Sequence, residues 1–148
     1  MINLNQYFNL IKGLNYAVTK IDVPYNPKTF PTNYAIGKDL DIFISSSDFE
    51  TFKSITIDFC NIYKNIFKIL IIDNNNNFRI RLLEKNKLHY QFDLTKNDII
   101  IKNRSLYKNF YILSLDNEII IRKEEYKKNS NKIHHKEWLL KNKVNIFY

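Results

Sequence analysis

Residues 37–44 read Gly-Lys-Asp-Leu-Asp-Ile-Phe-Ile, and this stretch decides how the fold is interpreted. Aliphatic side chains occupy every second position from Leu40 to Ile44, which predicts a β-strand. Because successive side chains of a strand point to opposite faces, Asp39 and Asp41 share the face opposite the aliphatic residues. Asp is depleted in strands, and two neighbouring carboxylates repel each other. A cation held between them would remove that penalty, and paired oxygen ligands of this kind suit Mg²⁺.

A third acid occurs in a similar setting. Residues 88–94 read Leu-His-Tyr-Gln-Phe-Asp-Leu and alternate in the same way, so Asp93 lies near the end of a second predicted strand. On the first pair alone, an exposed edge strand that uses charge against aggregation is the favoured interpretation. If the two strands are neighbours, however, three carboxylates would surround one or two metal ions. Such ions can clamp the attacking and leaving oxygens of a displacement at phosphorus.

The stretch from Gly37 to Ile44, followed by an acidic helix and later by Phe-Asp-Leu at residues 92–94, resembles the nucleotidyltransferase superfamily, the polymerase-beta-like fold. It is similar in particular to the bacterial nucleotidyltransferase-like proteins that accompany surface-polysaccharide genes. The resemblance covers roughly residues 16–94. It implies an α+β fold, with a mixed β-sheet flanked by helices. It also implies that Asp39 and Asp41 bind the metals and that Asp93 completes the shell of the catalytic ion. The implied cofactor is Mg²⁺ or Mn²⁺, and the implied reaction transfers a nucleoside monophosphate from an NTP to a hydroxyl or phosphate acceptor.

The chain departs from this family upstream of the acids. The superfamily usually places a Gly-Ser or Gly-Gly turn there to hold the triphosphate, whereas residues 22–33 contain all three prolines and no glycine. Gly37 and Lys38, and Arg79 and Arg81 on one face of another predicted strand, are the candidate phosphate-binding residues. Solvated surface charge is the alternative for the three basic residues. A non-catalytic nucleotidyltransferase-like module that binds a sugar phosphate, RNA or a protein partner is therefore the second functional hypothesis.

Length and composition predict a single domain over residues 1–148, with a core over about 1–100 and a basic C-terminal extension over about 101–148. The net charge is +8, and residues 101–148 hold 11 basic against 5 acidic residues. A basic surface of this kind can contact nucleic acid, but the chain contains no recognised nucleic-acid-binding motif, so this partner is not favoured. The single cysteine, Cys60, fits a reducing compartment and a place in the core. No signal peptide or spanning segment is evident, which predicts a soluble cytoplasmic protein.

Several local predictions can be compared with the structure. Ser47 and Glu50 form a capping-box pattern, which predicts a helix from there to about Lys64. Residues 66–72 and 78–84 read as two strands of a hairpin joined by an Asn-rich loop. The Ile-rich segments 98–101 and 118–121 look like strands or buried segments. The adjacent pair His134-His135 invites a metal interpretation, but no other ligand pattern completes such a site.

Overall fold

The computed structural model describes residues 2–21, 30–32 and 38–144, with Lys38 described in its backbone only. Over these residues the fold is α+β, with four helices and one mixed sheet of seven strands. The helices are α1 (Leu4–Leu10), α2 (Phe49–Asn61), α3 (Leu115–Lys128) and α4 (Ile133–Lys141). The strands are β1 (Tyr16–Thr19), β2 (Lys38–Ile44), β3 (Lys68–Asp73), β4 (Asn77–Glu84), β5 (Lys87–Lys96), β6 (Ser105–Tyr107) and β7 (Phe110–Ile112).

The strands lie in the order β3-β4-β5-β2-β1-β7-β6. Strand β2 runs parallel to β5, and β1 runs parallel to β7. The remaining neighbours are antiparallel. The two strands that carry the three aspartates are therefore adjacent and lie near the middle of the sheet.

Each face of the sheet has its own core. The aliphatic side chains of β2 pack with α1 and α2 on one face, in a large cluster rich in aromatic residues. On the opposite face Ala17 of β1 packs with Ile121 of α3 and with Ile100, Ile101 and Leu113. Phe43 of β2 is partly buried against this second cluster. Because β2 alternates, Asp39 and Asp41 lie on the same face as Phe43, next to the helical segment that follows β7.

The predicted hairpin is confirmed. Strands β3 and β4 pair antiparallel, and the Asn74 N–H donates to the Asn77 carbonyl oxygen at 2.8 Å. A tight turn at Lys85 and Asn86, both with positive φ, then connects β4 to β5. Asn adopts this left-handed conformation more readily than most residues, which explains why such turns are visible in the sequence.

The boundaries of α2 differ from the prediction. The helix begins at Phe49 and ends at Asn61, so Ser47 is not its N-cap residue and the helix ends three residues before Lys64. Asp48 occupies the cap position, but its carboxylate accepts a hydrogen bond from the Asn15 N–H at 2.8 Å and not from the helix. A contact to a distant part of the chain has thus replaced the local cap.

From residue 98 onward the prediction is confirmed in part, because both Ile-rich segments contain buried residues but neither forms a strand. Residues 98–101 form a turn in which Ile100 and Ile101 are buried, and residues 118–121 belong to α3. Helix α3 begins after Ser114, whose Oγ accepts a hydrogen bond from the Asn117 N–H at 3.3 Å. In the helix Ile121 is buried whereas Ile120 is 46% exposed. Because three isoleucines follow one another, the sequence pattern does not show which of them faces the core, and the helix could not be recognised from its periodicity. The short strands β6 and β7, which the sequence analysis did not identify, extend the sheet beyond β1.

The longest helix, α3, has 14 residues, and none of the helices in the described part of the chain has the length and apolar character needed to cross a bilayer.

Candidate functional site

The structure brings the three predicted aspartates together. In the β2–β5 ladder, Asp41 lies directly opposite Asp93, and Asp39 lies opposite Gln91. Paired residues of adjacent strands point to the same face, so all three carboxylates lie on one face of the sheet. Asp39 is exposed, Asp41 is half-buried and Asp93 is 8% exposed. We call these three residues the acidic cluster.

Asp93 is held by side chains from β4 and from its own strand. The Arg79 Nε donates to Asp93 Oδ1 at 2.5 Å, and the Gln91 Nε2 donates to Asp93 Oδ2 at 2.9 Å. Arg81 in turn donates from Nε to Gln91 Oε1 at 2.9 Å. Both arginines therefore share the face of the acidic cluster, as the sequence allowed. Arg79 forms an ion pair with Asp93 on this face.

Lys20 is a site residue that the sequence analysis missed. It follows the end of β1, and its Nζ lies 3.2 Å from Asp41 Oδ2 and 3.2 Å from Glu125 Oε1. The ladder between β1 and β2 places Thr19 opposite Asp41, so the next residue reaches the acidic cluster. Nothing in the local sequence pairs Lys20 with an acid that lies 21 positions further along the chain. The strand register alone brings them into contact.

Helix α3 supplies two further acids at this edge of the cluster. Glu118 accepts from the Thr19 Oγ1 at 2.7 Å and from the Lys20 backbone N–H at 2.9 Å. Glu125 accepts from Lys20 and from the Lys132 Nζ at 3.0 Å. Glu118 and Glu125 are seven residues apart, which places them on one helix face. This seven-residue spacing could have identified the two glutamates as neighbours, but only if the segment had been recognised as a helix.

A buried arginine joins α3 to α4. Arg122 is 1% exposed, and its Nε donates to Glu118 Oε1 at 2.8 Å. Its guanidinium lies over the Trp138 ring at 4.7 Å, and its Nη1 lies 3.4 Å from His135 Nδ1. His135 is 2% exposed, and burial, followed by the charges of His134 and Arg122, lowers its pKa to about 4. His135 therefore belongs to the packing of α4 against α3.

The electrostatics of the cluster show that its negative charge is incompletely compensated. Burial, with smaller contributions from the charges of Asp93 and Asp39, raises the pKa of Asp41 to about 6 despite the opposing effect of Lys20. The pKa of Asp39 is also raised, by burial and by Asp93. For Lys20 burial acts to lower the pKa, but Asp41 and Glu125 outweigh it and the pKa is raised. Three carboxylates thus remain close together, and ionisation of Asp41 is disfavoured even with a lysine in contact.

The donor chemistry of the cluster fits a hard divalent cation, because carboxylate oxygens are the ligands that Mg²⁺ and Mn²⁺ prefer. The donors are not assembled around a common point, however. Within residues 2–21, 30–32 and 38–144, no three His, Cys, Asp or Glu side chains converge closely enough to hold a metal ion. Asp41 and Asp93 contact Lys20 and Arg79 instead.

Two of the predicted phosphate contacts cannot be placed. Gly37 lies outside the described residues, and so does the side chain of Lys38. Cys60 is buried in the core as predicted, and burial raises its pKa to about 12. A cavity of about 240 Å³ lies elsewhere, and Tyr63, Phe67 and Tyr90 are among the residues that line it. None of the three aspartates lines it, so the acidic cluster remains the candidate functional site.

A scan against protein-family models found no match to this chain, and searches of curated proteins and of solved structures found none either.

Proposed function

We propose that this protein is a metal-dependent nucleotidyltransferase. It would transfer a nucleoside monophosphate from an NTP to a hydroxyl or phosphate acceptor, in surface glycan metabolism. One observation carries the proposal: Asp39, Asp41 and Asp93 share one face of two adjacent parallel strands, with Asp41 directly opposite Asp93. The raised pKa values of Asp39 and Asp41 support it, because burial and the neighbouring carboxylates disfavour their ionised forms, which a divalent cation would stabilise.

In this proposal Asp39 and Asp41 would hold Mg²⁺ or Mn²⁺, and Asp93 would complete the shell of the catalytic ion. A bound ion would polarise the transferred phosphoryl group and neutralise the charge that develops on its oxygens. Asp93 is fixed for its role by Arg79 and Gln91. The Arg81 Nε donates to the Gln91 amide oxygen, and its charge also acts on Asp39, so its guanidinium is the group we assign to the substrate phosphates.

A second candidate function rests on a different observation. Lys20 and Arg79 already form ion pairs with two of the three carboxylates, which removes part of the repulsion that would otherwise call for a metal. Residues 22–33 contain no glycine for the usual triphosphate turn. Both facts suit a non-catalytic nucleotidyltransferase-like module that binds a sugar phosphate, RNA or a protein partner.

Calorimetric titration of Mn²⁺ and Mg²⁺, alone and with each NTP, distinguishes the two candidates. The titration is made into the wild-type protein and into Asp41→Asn. Asp58→Asn is the matched control, because Asp58 is an exposed aspartate of α2, which packs on the opposite face of the sheet. For the transferase we expect metal-dependent nucleotide binding that Asp41→Asn abolishes and Asp58→Asn retains. Nucleotide binding without any effect of metal or of Asp41→Asn would refute the transferase.

A further inference from the structure

Lys20 occupies a distinctive place beside the acidic cluster. Its Nζ bridges Asp41 and Glu125 at 3.2 Å each, and its side chain is 17% exposed. The ammonium group therefore stands against the oxygen atoms of Asp41, the central carboxylate of the cluster. A divalent cation bound by Asp41 would compete with this ammonium for the same oxygens.

The backbone of Lys20 is also held in an unusual conformation. Its φ is 57°, in the left-handed region that residues with a side chain seldom adopt. Glu118 accounts for this conformation, because its two carboxylate oxygens accept from the Lys20 N–H and from the Thr19 Oγ1. Helix α3 thus fixes the backbone through Glu118 and the ammonium through Glu125. Two acids from one helix hold a single lysine over the cluster.

We propose that Lys20 is an internal cation that competes with the divalent metal for Asp41, so that α3 controls access to the metal site. This inference rests on the proposed function, because it concerns the same acids and the same ion. Glu125 makes the exchange feasible. When a metal ion binds the Asp41 carboxylate, Lys20 keeps its ion pair with Glu125. The buried ammonium therefore still has a counter-charge. Without a metal ion, the Lys20 ammonium neutralises the Asp41 carboxylate. A metal ion then binds by displacing Lys20 from Asp41.

The test measures Mn²⁺ affinity by calorimetry and by the electron paramagnetic resonance signal of free Mn²⁺, without any activity assay. Lys20→Met keeps the length and apolar stem of the side chain and removes the ammonium. We expect Mn²⁺ to bind about three- to tenfold more tightly, since a partly buried ion pair no longer competes. Lys53→Met is the matched control, because Lys53 also bridges two acids, Asp73 and Glu50, but lies outside the cluster. It should leave Mn²⁺ affinity unchanged.

Glu125→Gln gives a prediction of opposite sign while Lys20 stays in place. With Asp41 as its remaining acidic partner, Lys20 should compete more strongly, and Mn²⁺ should bind about two- to threefold more weakly. In a protein that also carries Lys20→Met, Glu125→Gln should have a smaller effect. An equal effect in both backgrounds would show a general charge effect and would overturn the direct competition. Glu125→Gln also keeps the inference testable if Lys20→Met fails to fold.

The Mn²⁺ titrations of wild type and Lys20→Met distinguish a failure of the inference from a failure of the proposed function. If wild-type protein binds Mn²⁺ through Asp41 and Lys20→Met binds it no more tightly, the competition by Lys20 is refuted and the metal site stands. If neither protein binds Mn²⁺, the metal site and the inference are both refuted. Asp41-dependent binding that strengthens in Lys20→Met supports both.

Discussion

The electrostatics of Asp41 make a quantitative prediction for Asp41→Asn in buffer without divalent ions. The folded state raises the pKa of Asp41 from 3.8 to about 6, mainly by burial, so the folded protein holds this proton more tightly than the unfolded chain. Wild-type stability should therefore fall as the pH rises from 3.8 through about 6. A shift of this size corresponds to about 3 kcal/mol for the ionised carboxylate. The Asp41 side chain is 27% exposed, and Asn loses the charged contact to Lys20, so the full amount should not be realised. We therefore expect Asp41→Asn to raise the free energy of unfolding by about 1–2 kcal/mol at about pH 7.5.

Urea unfolding followed by circular dichroism measures this difference, at about pH 7.5 and again near pH 4, where the gain should largely disappear. Asp98→Asn is a control of opposite sign. Asp98 is an exposed acid whose pKa is lowered by hydrogen bonds from the Ser46 hydroxyl and backbone N–H, so its substitution should destabilise the protein at neutral pH. That loss should fade only below 3.8. If Asp41→Asn is no more stable than wild type at about pH 7.5, the ionised Asp41 does not destabilise the folded protein and the reasoning is wrong.

Two further predictions concern the neighbours of the cluster. Asp93→Asn and Arg79→Met should each destabilise the protein by about 1–2 kcal/mol, since the first removes the negative charge that pairs with Arg79 and the second removes the donor that pairs with Asp93. A double-mutant cycle by urea unfolding should give a coupling of about 1 kcal/mol, and additive effects would contradict the pairing. His135 is held neutral with a pKa of about 4, so wild-type stability should fall as the pH decreases from 6.5 towards 4. His135→Gln, which keeps an acceptor for Arg122, should flatten this dependence in melting temperatures measured across that range, and an unchanged slope would show that His135 does not cause it.

The sequence by itself determined the parts of this fold that depend on local periodicity. The alternation around Asp39 and Asp41 predicted β2 and its two faces, because successive side chains of a strand point to opposite faces whatever its neighbouring strands are. The same argument predicted β5 and the position of Asp93 on it. The Asn-rich loop predicted the β3–β4 hairpin, since the conformation of a tight turn is a local property of its residues. The α+β architecture with a mixed sheet was instead what the family resemblance implied, and the structure confirms it.

The tertiary structure decided what the three aspartates contact. Only the parallel pairing of β2 with β5 places Asp41 opposite Asp93, and strand order is a property of the whole chain that no local period encodes. Lys20 reaches Asp41 through the β1–β2 register, and it is held there by Glu118 and Glu125 from a helix about a hundred positions away. Charges at such separations leave no pattern in the sequence, because their attraction depends on distance in space, which packing alone establishes.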